Sequence, residues 1–394
     1  MTDELKRVCR AFRIEGEWAS YEEISVGNIN HTYKVNFIRP DGQPKSYIVQ
    51  RVNTYVYKNP IEVMENIDRV TEHIRAKKPG QTALHFHHTI DRKTYYVDTD
   101  GFWRLFNYIP SDSCVEMDLD AIHNAGEAFG EFQMQLSDFD PAQLYETIVN
   151  FHNTPWRYEK LERDVKEDLL GRVAEVGEEL EYLRSIRDKA CVLTDLYRQG
   201  KLPLRVTHND TKINNVLFDQ ETRRALVVID LDTVMPGVVG HDFGDAIRFA
   251  ANVVEEDCPQ PEKAGVDLEV FRAFADGFLK NTASALTQTE IDTLAQSCLA
   301  LTAELSVRFW TTTSRATPIS RSIIRHTIWS GLAARWRWPR TWSGRWTPWT
   351  PSSVNARLNI AEGENRPPYR FDERCGGRLR VPGRGNQCPA GIDY

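Results

Sequence analysis

Three features are missing from this sequence of 394 residues, and each absence excludes a class of protein. No apolar run approaches the ~18 residues that a membrane-spanning helix needs. The first residues are charged and include no apolar segment of the kind that directs secretion, so we expect a cytoplasmic protein without a membrane partner. The seven cysteines are scattered and lack the spacing of metal ligands, which predicts reduced thiols rather than disulfides or a zinc site.

Lysine is also missing, but only from one end of the chain. Residues 1–309 hold 35 Lys and Arg against 51 Asp and Glu, whereas residues 310–394 hold 14 Arg, no Lys and 5 acids. These last 85 residues also contain 7 of the 10 Trp and 8 of the 19 Pro. Such a sharp change in composition separates a C-terminal tail, defined as residues 310–394, from the rest of the chain.

The first 108 residues are predicted to form an antiparallel sheet with one helix packed on it. After a short helix over 2–13, strand patterns occur at 21–26, 32–38, 46–52, 84–88, 94–98 and 103–108. Apolar residues that recur at spacings of three and four after Pro60 predict the packed helix. We therefore expect a nucleotide-binding N-terminal lobe over residues 1–108.

The following 200 residues are mostly helical by pattern. Helices are predicted at 121–136, 158–169, 176–199, 242–256, 268–279 and 290–309, with one hairpin of strands 215–218 and 225–229 among them. A small antiparallel-sheet lobe followed by a larger helical lobe with an embedded hairpin predicts an α+β fold of the two-lobe, protein-kinase type. The helical lobe, residues 109–309, would carry the catalytic and acceptor-binding groups.

The stretch from 206 to 232 is the most informative about chemistry. It contains His208 and Asp210, then Asn215 five residues after the aspartate, then Asp230 at the end of an apolar strand. Phosphoryl transfer needs a carboxylate that accepts or orients the acceptor hydroxyl, and oxygen ligands that hold magnesium on the triphosphate. Asp210 fits the first role, and Asn215 and Asp230 fit the second. Turn-capping by the same residues is the alternative, but the ordered set favours catalysis.

A second motif, residues 241–245, contains the letters Asp-Phe-Gly of the protein-kinase metal motif. Because Asp242 follows a Pro-Gly turn and opens a predicted helix, we expect it to be a helix N-cap rather than the metal ligand. Asp242 or Asp245 could still order the site through hydrogen bonds. Asp245 and Arg248 have the spacing of an ion pair on one helix face.

A segment rich in Gly and Asn, residues 27–33, lies between the first two predicted strands. Its backbone N–H groups could wrap over phosphates, and the alternative is an ordinary hairpin turn. The catalytic set downstream favours the phosphate loop. His85, His87 and His88 resemble a metal cluster, but in a strand the first two share a face that the third opposes, so we expect a structural role.

These segments together resemble the aminoglycoside phosphotransferase/choline kinase superfamily and, within it, the N-acetylhexosamine 1-kinases. The resemblance extends from about residue 15 to residue 309 and is densest over 204–249. The matching stretches are 27–33, 47–50, 102–104, 128–132, 146–148, 151–155, 204–217, 228–236 and 242–249.

The resemblance implies ATP- and Mg²⁺-dependent phosphorylation of the anomeric hydroxyl of GlcNAc and GalNAc. Asp210 would be the base, and Asn215 and Asp230 the magnesium ligands. The implied nucleotide-binding residues are Gly27, Asn28, Asn30, Thr32, Gln50, Arg51 and, at the hinge between the lobes, Asn107 and Tyr108. The implied sugar-binding residues are His31, Asp210 and Arg308. The partner would be a small sugar, with no nucleic acid and no membrane involved.

One departure from the wider superfamily affects the nucleotide site. The strand lysine that usually pairs with the α- and β-phosphates is Gln50 here, with Arg51 next to it. Asp68 or Glu65 would be the helix partner of that group. Other acceptors of the superfamily, such as an aminoglycoside, choline or homoserine, are alternatives. A catalytically impaired nucleotide-binding module is another alternative, because the C-terminal part of the acceptor pocket is replaced.

The C-terminal tail departs from the family altogether. If the codons from Trp310 to Pro318 are read one base earlier, they permit Leu-Asp-Asp-Tyr-Leu-Glu-Gly-Asp-Pro, which resembles the family's continuation. We interpret residues 310–394 as the product of a frameshift near codon 310, which would not form a domain. A genuine basic, aromatic tail that binds nucleic acid is the alternative, but the tail has no repeat or periodic pattern.

Overall fold

The structure, a computed structural model, describes residues 1–24, 29–80, 82–111, 118–253 and 265–315. Within these ranges, a five-stranded antiparallel sheet forms the N-terminal lobe, in the order β1-β2-β3-β5-β4. Its strands are β1 (Glu17–Ile24), β2 (His31–Ile38), β3 (Pro44–Val52), β4 (Tyr96–Asp98) and β5 (Gly101–Asn107). The predicted sheet lobe is confirmed.

Two helices cover the two faces of this sheet. Helix α1 (Thr2–Ala11) packs Leu5 and Val8 on the outer face, against Tyr33, Val35, Tyr47 and Trp103. Helix α2 (Pro60–Lys77) packs on the inner face, where Met64 and Ile67 join a cluster that contains Val52 and Phe102. Because side chains alternate along a strand, residues 50 and 104 face the interior of the protein and residues 51 and 103 face α1.

One predicted strand, 84–88, is not part of the sheet. It makes a single bridge, Phe86 to Phe106, and lies beside the end of β5. Strand β4 already pairs with residues 101–103 of that edge, so only residues 104–107 of β5 remain for this segment. Two backbone hydrogen bonds hold the segment to β5, from the N–H of His87 to the carbonyl of Leu105 at 2.8 Å and from the N–H of Asn107 to the carbonyl of His85 at 3.1 Å. The side chain of Asn107 adds two more, because it donates to the carbonyl of Ala83 and accepts from the N–H of His85.

The described part of the C-terminal lobe is mostly helical, as predicted. Its helices are α3 (Leu119–Gln135), α4 (Thr154–Glu167), α5 (Gly177–Ser185), α6 (Arg187–Ala190), α7 (Val192–Arg198), α8 (Val239–Ala250), α9 (Leu268–Thr282) and α10 (Gln288–Arg315). Two small antiparallel pairs lie among them: β6 (Arg205–Thr207) with β9 (Met235–Gly237), and β7 (Val216–Phe218) with β8 (Ala225–Val228). The β7–β8 pair is the predicted hairpin.

The single helix predicted over 176–199 is instead three helices, α5 to α7. Its apolar side chains contribute to two different cores: Leu180 and Leu183 pack with Tyr158, whereas Leu193 packs with Leu202. A straight helix presents one apolar face, so the chain bends at Ile186 and again before α7 to reach both cores.

Helix α10 is longer than predicted and passes residue 309. It continues to Arg315, and Trp310 is buried in one cluster with Tyr158 and Val307. In the described part of the chain, no helix combines the length and the apolar character that crossing a membrane requires.

Candidate active site

The loop after β6 places Asp210 and Asn215 side by side. The amide nitrogen of Asn215 donates to the backbone carbonyl of Asp210 at 2.8 Å and to its carboxylate Oδ2 at 3.2 Å. Lys212 Nζ lies 3.0 Å from the other carboxylate oxygen, Oδ1. Asp210 is only half-buried, whereas Asn215 is almost fully buried. The predicted base is therefore a fixed carboxylate that is still accessible from solvent.

His208 braces this loop by hydrogen bonds. Its fully buried ring donates from Nε2 to the carbonyl of Ile229 at 2.9 Å, so Nδ1 is the acceptor for the N–H of Asp210 at 3.3 Å. The N–H of Ile229 in turn donates to the carbonyl of Asn215 at 2.8 Å. These bonds join the loop of Asp210 to the end of strand β8, which carries Asp230.

Asp230 lies at that strand end with a left-handed backbone, φ 62°. The residue is exposed to solvent, yet many protein atoms surround its carboxylate. This crowding, together with repulsion from Asp232 and Asp210, raises its pKa to about 6, although Arg104 and His208 oppose the rise. Asp210 and Asp232 are thus close enough to repel the charge of Asp230, although Asp232 is itself paired with Arg104, and a cation at Asp230 would screen this repulsion.

No three His, Cys, Asp or Glu side chains of the described residues converge as a self-sufficient metal site. The available oxygen donors near Asp210 are the Asp230 carboxylate and the side-chain carbonyl of Asn215, whose nitrogen is already bonded to Asp210. Two protein donors are an incomplete shell for magnesium, which in nucleotide-binding enzymes takes its remaining ligands from phosphates and water.

The prediction that Asp242 is a helix N-cap is wrong. Helix α8 begins at Val239, so Asp242 lies inside its first turn. Its buried carboxylate points at the loop of residues 208–215, which carries the predicted base and is called the catalytic loop below. It accepts from the N–H groups of His208 at 3.0 Å and Asn209 at 2.8 Å, and from the amide of Gln133 at 2.6 Å. The other expectation, that Asp242 orders the site through hydrogen bonds, agrees with these contacts to a loop 34 residues away.

Asp245, one turn further along α8, also holds the catalytic loop. Its Oδ2 accepts from the N–H of Thr211 at 3.0 Å, while Arg248 donates to Oδ1 at 2.9 Å, which confirms the predicted ion pair. Burial alone would raise the pKa of Asp245, but the charge and hydrogen bonds of Arg248 outweigh burial and lower it. Two aspartates of α8 therefore order the loop without entering the predicted metal site.

A buried ion pair that the sequence did not reveal lies on the nucleotide side of the cleft. Arg104 on β5 binds both carboxylate oxygens of Asp232, and both side chains are almost fully buried. Gln50 accepts from Arg104 Nε at 2.8 Å, and Asn30 donates to Asp232 at 3.0 Å. The cationic group beside Gln50 is thus Arg104, which ties the sheet to the segment after Asp230.

Several predicted nucleotide-binding residues lie around this pair. Gln50 also donates to Thr32 Oγ1 at 3.0 Å, and Asn30 also accepts from the N–H of Asn53 at 2.9 Å. Three of the predicted residues, Asn30, Thr32 and Gln50, therefore share one hydrogen-bonded network on the inner face of the sheet. Gly27 and Asn28 lie outside the described residues.

The structure does not place Arg51 beside the other predicted nucleotide-binding residues. Arg51 pairs in register with Trp103, and its guanidinium lies 5.9 Å from the centre of the Trp103 ring, on the face that α1 covers. Alternation along β3 turns it away from Gln50 and from the cleft. His31 pairs with Arg51 across β2 and β3 and is exposed at the strand start, so the structure does not bring it to Asp210.

The two predicted helix partners of the phosphate-pairing group are also elsewhere. Glu65 pairs with Arg69 on α2 at 3.0 Å, and Asp68 lies 3.3 Å from His88. Helix α2 instead reaches the cleft through buried Asn66, which donates to the carbonyl of Val234 at 3.0 Å. The neutral amide of Asn66 therefore holds the segment after Asp232, whereas an acidic residue of this helix was expected to pair with the phosphate-binding group.

The hinge residues differ in how their side chains are used. Both polar atoms of the Asn107 side chain are bonded to the segment 83–85, so that side chain has a structural role. Tyr108 donates its N–H to the carbonyl of Ser46 at 3.3 Å, and the ammonium of Lys34 lies 4.5 Å from the centre of its ring. The Tyr108 ring and Lys34 therefore lie together on the inner face, where the strands meet the hinge.

A cavity of about 210 Å³ begins at Asn209, next to Asp210. Three buried polar atoms in its wall have no hydrogen-bond partner among the described residues: Asn209 Oδ1, His152 Nε2 and His241 Nδ1. The rings of His152 and His241 lie 4.4 Å apart, and burial lowers the pKa of His241 well below its usual value. The cavity is polar and, apart from Glu146 and Arg198, lined by uncharged groups.

Arg308, the predicted sugar contact, is next to this cavity on α10. Its guanidinium lies 4.8 Å from the centre of the Phe151 ring, and Phe151 lines the cavity. One turn earlier on α10, buried Glu304 accepts from His152 at 2.9 Å and from Thr154 at 2.7 Å. Helix α10 therefore supports the cavity wall from behind.

Comparison with known proteins agrees with this architecture. The model of the phosphotransferase enzyme family APH matches residues 20–277, and the chain belongs to that family. It is thus a small-molecule phosphotransferase with a protein-kinase-like fold.

Solved structures with the same fold have low sequence identity to this chain. The microcompartment-associated aminopropanol kinase is 16% identical, with a TM-score of 0.56 over 85% of this chain and 95% of that one. The aminoglycoside phosphotransferase of Alicyclobacillus acidocaldarius is 12% identical, with a TM-score of 0.55 over 84% and 91%. Amicoumacin kinase, solved with AMP-PNP and Ca²⁺, is 12% identical, with a TM-score of 0.52 over 86% and 97%.

Proposed function

We propose that this protein is an ATP-dependent kinase that phosphorylates the anomeric hydroxyl of N-acetylhexosamines and yields the sugar 1-phosphate. The transfer chemistry rests on one observation, the fixed carboxylate of Asp210 beside Asn215 and Asp230. Asp210 would accept or orient the proton of the acceptor hydroxyl as that oxygen attacks the γ-phosphate. The ADP formed leaves with the electrons of the broken phosphoanhydride bond.

Asn215 and Asp230 would hold the magnesium ion of the nucleotide. The donor set fits this ion, because Asp230 is exposed to solvent and repelled by two neighbouring carboxylates that a cation would screen. When bound, magnesium neutralises charge on the β- and γ-phosphates. The nucleotide phosphates would lie under the sheet near Asn30, Thr32 and Gln50, whose positions are fixed by the Arg104–Asp232 pair.

The cavity beside Asn209 supports a sugar as the acceptor. Its unpaired buried atoms, an amide oxygen and two histidine nitrogens, suit the hydroxyl and amide groups of an uncharged polar ligand. A cationic acceptor such as choline or an aminoglycoside would favour an acidic cavity, but the one acid here, Glu146, is balanced by Arg198. The charge of −16 over residues 1–309 is therefore not concentrated at this site.

A panel of acceptors tests this proposal directly. ADP release should be fastest with GlcNAc and GalNAc, and slow with aminopropanol, choline, homoserine and aminoglycosides. Asp210→Asn should abolish release with every acceptor. Faster release with an amine-bearing acceptor would contradict the sugar assignment. Tight ATP binding without release for any acceptor would support the impaired module instead.

A further inference from the structure

Five basic side chains line a cavity on the N-terminal lobe, away from the catalytic loop. The cavity is about 430 Å³ and is formed by Arg13, His85, His87, His88 and Arg92. None of the residues proposed for the nucleotide, the metal or the sugar lines it. We propose that this cavity binds a phosphate oxyanion, either inorganic phosphate or the phosphate group of a phosphomonoester.

The three histidines do not have the arrangement that the sequence predicted. In a regular strand His88 would face away from His85 and His87, but the segment 84–88 is not part of the sheet, and all three line one cavity. The rings of His85 and His87 lie 4.4 Å apart. Nε2 of His87 is buried and has no hydrogen-bond partner among the described residues. A buried polar atom of this kind is typical of a site completed by a ligand or water.

The two arginines give the cavity its charge. Within the described part of the chain, neither Arg13 nor Arg92 has a carboxylate within salt-bridge distance, although Arg13 donates to the carbonyl of Ile90 at 2.8 Å. A guanidinium presents a fork of N–H donors that matches the oxygens of a phosphate. Two such groups without acidic partners around one cavity favour an anion.

Two acids, Asp68 and Glu72, lie against the histidines that line the cavity. Asp68 lies 3.3 Å from His88 Nε2, and Glu72 lies 3.4 Å from His85 Nδ1 while it also pairs with Arg75. Lys45 adds a positive charge near His87. Four cationic side chains, Arg13, Arg75, Arg92 and Lys45, therefore face two acids, Asp68 and Glu72, even while the histidines are neutral.

The histidines respond to this positive surrounding. Burial, followed by the charges of His85 and Lys45, lowers the pKa of His87 to about 4. Burial and Arg75 also lower the pKa of His85. A bound phosphate would oppose both charge effects, so we expect its binding to be accompanied by proton uptake at these rings.

The backbone at Arg92 gives independent support. Arg92 has φ 63° in a turn closed by hydrogen bonds from Thr89 to Lys93 at 2.7 Å and from Arg92 to Thr89 at 2.9 Å. Gly or Asn suits this left-handed position, whereas an arginine is strained there. The turn holds a strained residue whose side chain lines the cavity, a pattern that is common at binding sites.

Calorimetric titration of the full chain with sodium phosphate and with methyl phosphate, at low ionic strength and pH 6.5, tests the site. Arg92→Gly removes one guanidinium and relieves the backbone strain, so this variant should fold. Arg13→Gln removes the other, and Arg10→Gln is the matched control, since Arg10 is exposed on α1 and does not line the cavity. We expect phosphate affinity to fall by about tenfold or more in the first two variants and to stay unchanged in the third.

A second readout locates the bound ion. The imidazole NMR signals of His87 should move as phosphate saturates the wild-type chain, and should not move in Arg92→Gly. Binding of methyl phosphate as tight as that of inorganic phosphate would identify a phosphomonoester site, and much weaker binding a site for the free ion. Absence of phosphate binding, or equal affinity in Arg92→Gly, Arg13→Gln and wild type, would overturn the proposal, because the ion would then bind elsewhere.

Discussion

Asp230 and Asp210 are neighbouring carboxylates with different proposed roles, and the same substitution separates them. Asp230→Asn should remove the magnesium dependence of ATP binding, since the amide carries no charge to hold the ion. Asp210→Asn should leave that dependence intact but slow transfer on the order of 10²–10⁴-fold. Titration with ATP, with and without magnesium, and ADP release measure the two effects. Retained magnesium dependence in Asp230→Asn would show that another residue is the metal ligand.

Loss of the Asp242 carboxylate should lower the free energy of unfolding by more than loss of a helix cap does. Its buried carboxylate satisfies two backbone N–H groups of the catalytic loop and the amide of Gln133, and Asp242→Asn leaves one of these donors facing an NH₂ group. We expect the free energy of unfolding to fall by about 3 kcal/mol. The turnover rate should fall as well, because His208 and Asn209 precede Asp210 directly.

A true N-cap in the same lobe provides the control. Asp267 caps α9 by accepting from the N–H groups of Glu269 and Val270. Asp267→Ala should cost about 0.5–2 kcal/mol, with little effect on turnover. Urea unfolding and steady-state kinetics of both variants make the comparison. Equal losses of stability with unchanged turnover would mean that Asp242 does no more than a cap.

The lowered pKa of Glu304 should make the free energy of unfolding depend on pH in the acid range. Burial alone would raise its pKa, but the charge and hydrogen bond of His152, with Arg308 and Arg157, lower it from the usual 4.5 to about 2. A carboxyl whose pKa is lower in the folded state stabilises the protein above about pH 4.5 and loses that contribution as the pH falls toward 2. The difference corresponds to about 3 kcal/mol.

Glu304→Gln should therefore lower the free energy of unfolding at pH 7 and flatten its decline between pH 4.5 and 2. Chemical denaturation at a series of pH values measures this. Glu159→Gln is the control, because Glu159 is exposed on α4. A Glu304→Gln profile parallel to that of wild type would show that the ion pair contributes no acid dependence.

At the scale of elements, the closest contact in the helical lobe is between α3 and α9. A Cβ at Gly277 would lie 2.1 Å from the carbonyl oxygen of His123 and 2.9 Å from the N–H nitrogen of Glu127. Both atoms belong to the backbone of α3, so neither can rotate away. We expect Gly277→Ala to lower the free energy of unfolding by about 1–3 kcal/mol or more, as overpacking does.

Gly177, the first residue of α5, is the matched control. A Cβ there meets nothing within 4 Å, so Gly177→Ala should be neutral or slightly stabilising, since alanine favours a helix. The midpoint of guanidinium unfolding distinguishes the two variants. Similar midpoints for both would mean that the helices separate at little cost.

Local patterns predicted most elements because their causes are local. The period of two in β2 and the period of near four in α2 are visible in short windows of sequence. The pair of Arg104 with Asp232 spans 128 positions, and the contact of Asp242 with the catalytic loop spans 34. Such pairs depend on which strands and helices become neighbours, which no short window contains.

Arg51 lies away from the predicted nucleotide site for a related reason. Arg51 follows Gln50 in the sequence, but adjacent residues of a strand lie on opposite faces of the sheet. The two side chains therefore point in opposite directions. The order of Asp210, Asn215 and Asp230 was informative because one loop and one hairpin hold all three. Motifs within one local unit were predictable, and contacts between the lobes were not.

At the scale of the whole molecule, the boundary between the core and the C-terminal tail is open to test. Trp310 is buried in a cluster with Tyr158 and Val307, so Trp310→Ala should create a cavity and lower the free energy of unfolding by about 3–5 kcal/mol. Trp329→Ala is the same chemical change further along the tail. If the tail is a frameshift product that does not form a domain, Trp329→Ala should leave unfolding unchanged.

Limited proteolysis of the full chain adds a boundary to this comparison. The helix α10 and its buried Trp310 predict a resistant fragment that ends near Arg315 rather than at 309, with cleavage in the residues that follow. Restoring the alternative reading frame should then raise both solubility and GlcNAc phosphorylation, since the helical lobe regains the segment that the family places there. A tail that resists protease, together with a Trp329→Ala variant as destabilised as Trp310→Ala, would show that residues 316–394 are a folded part of the enzyme.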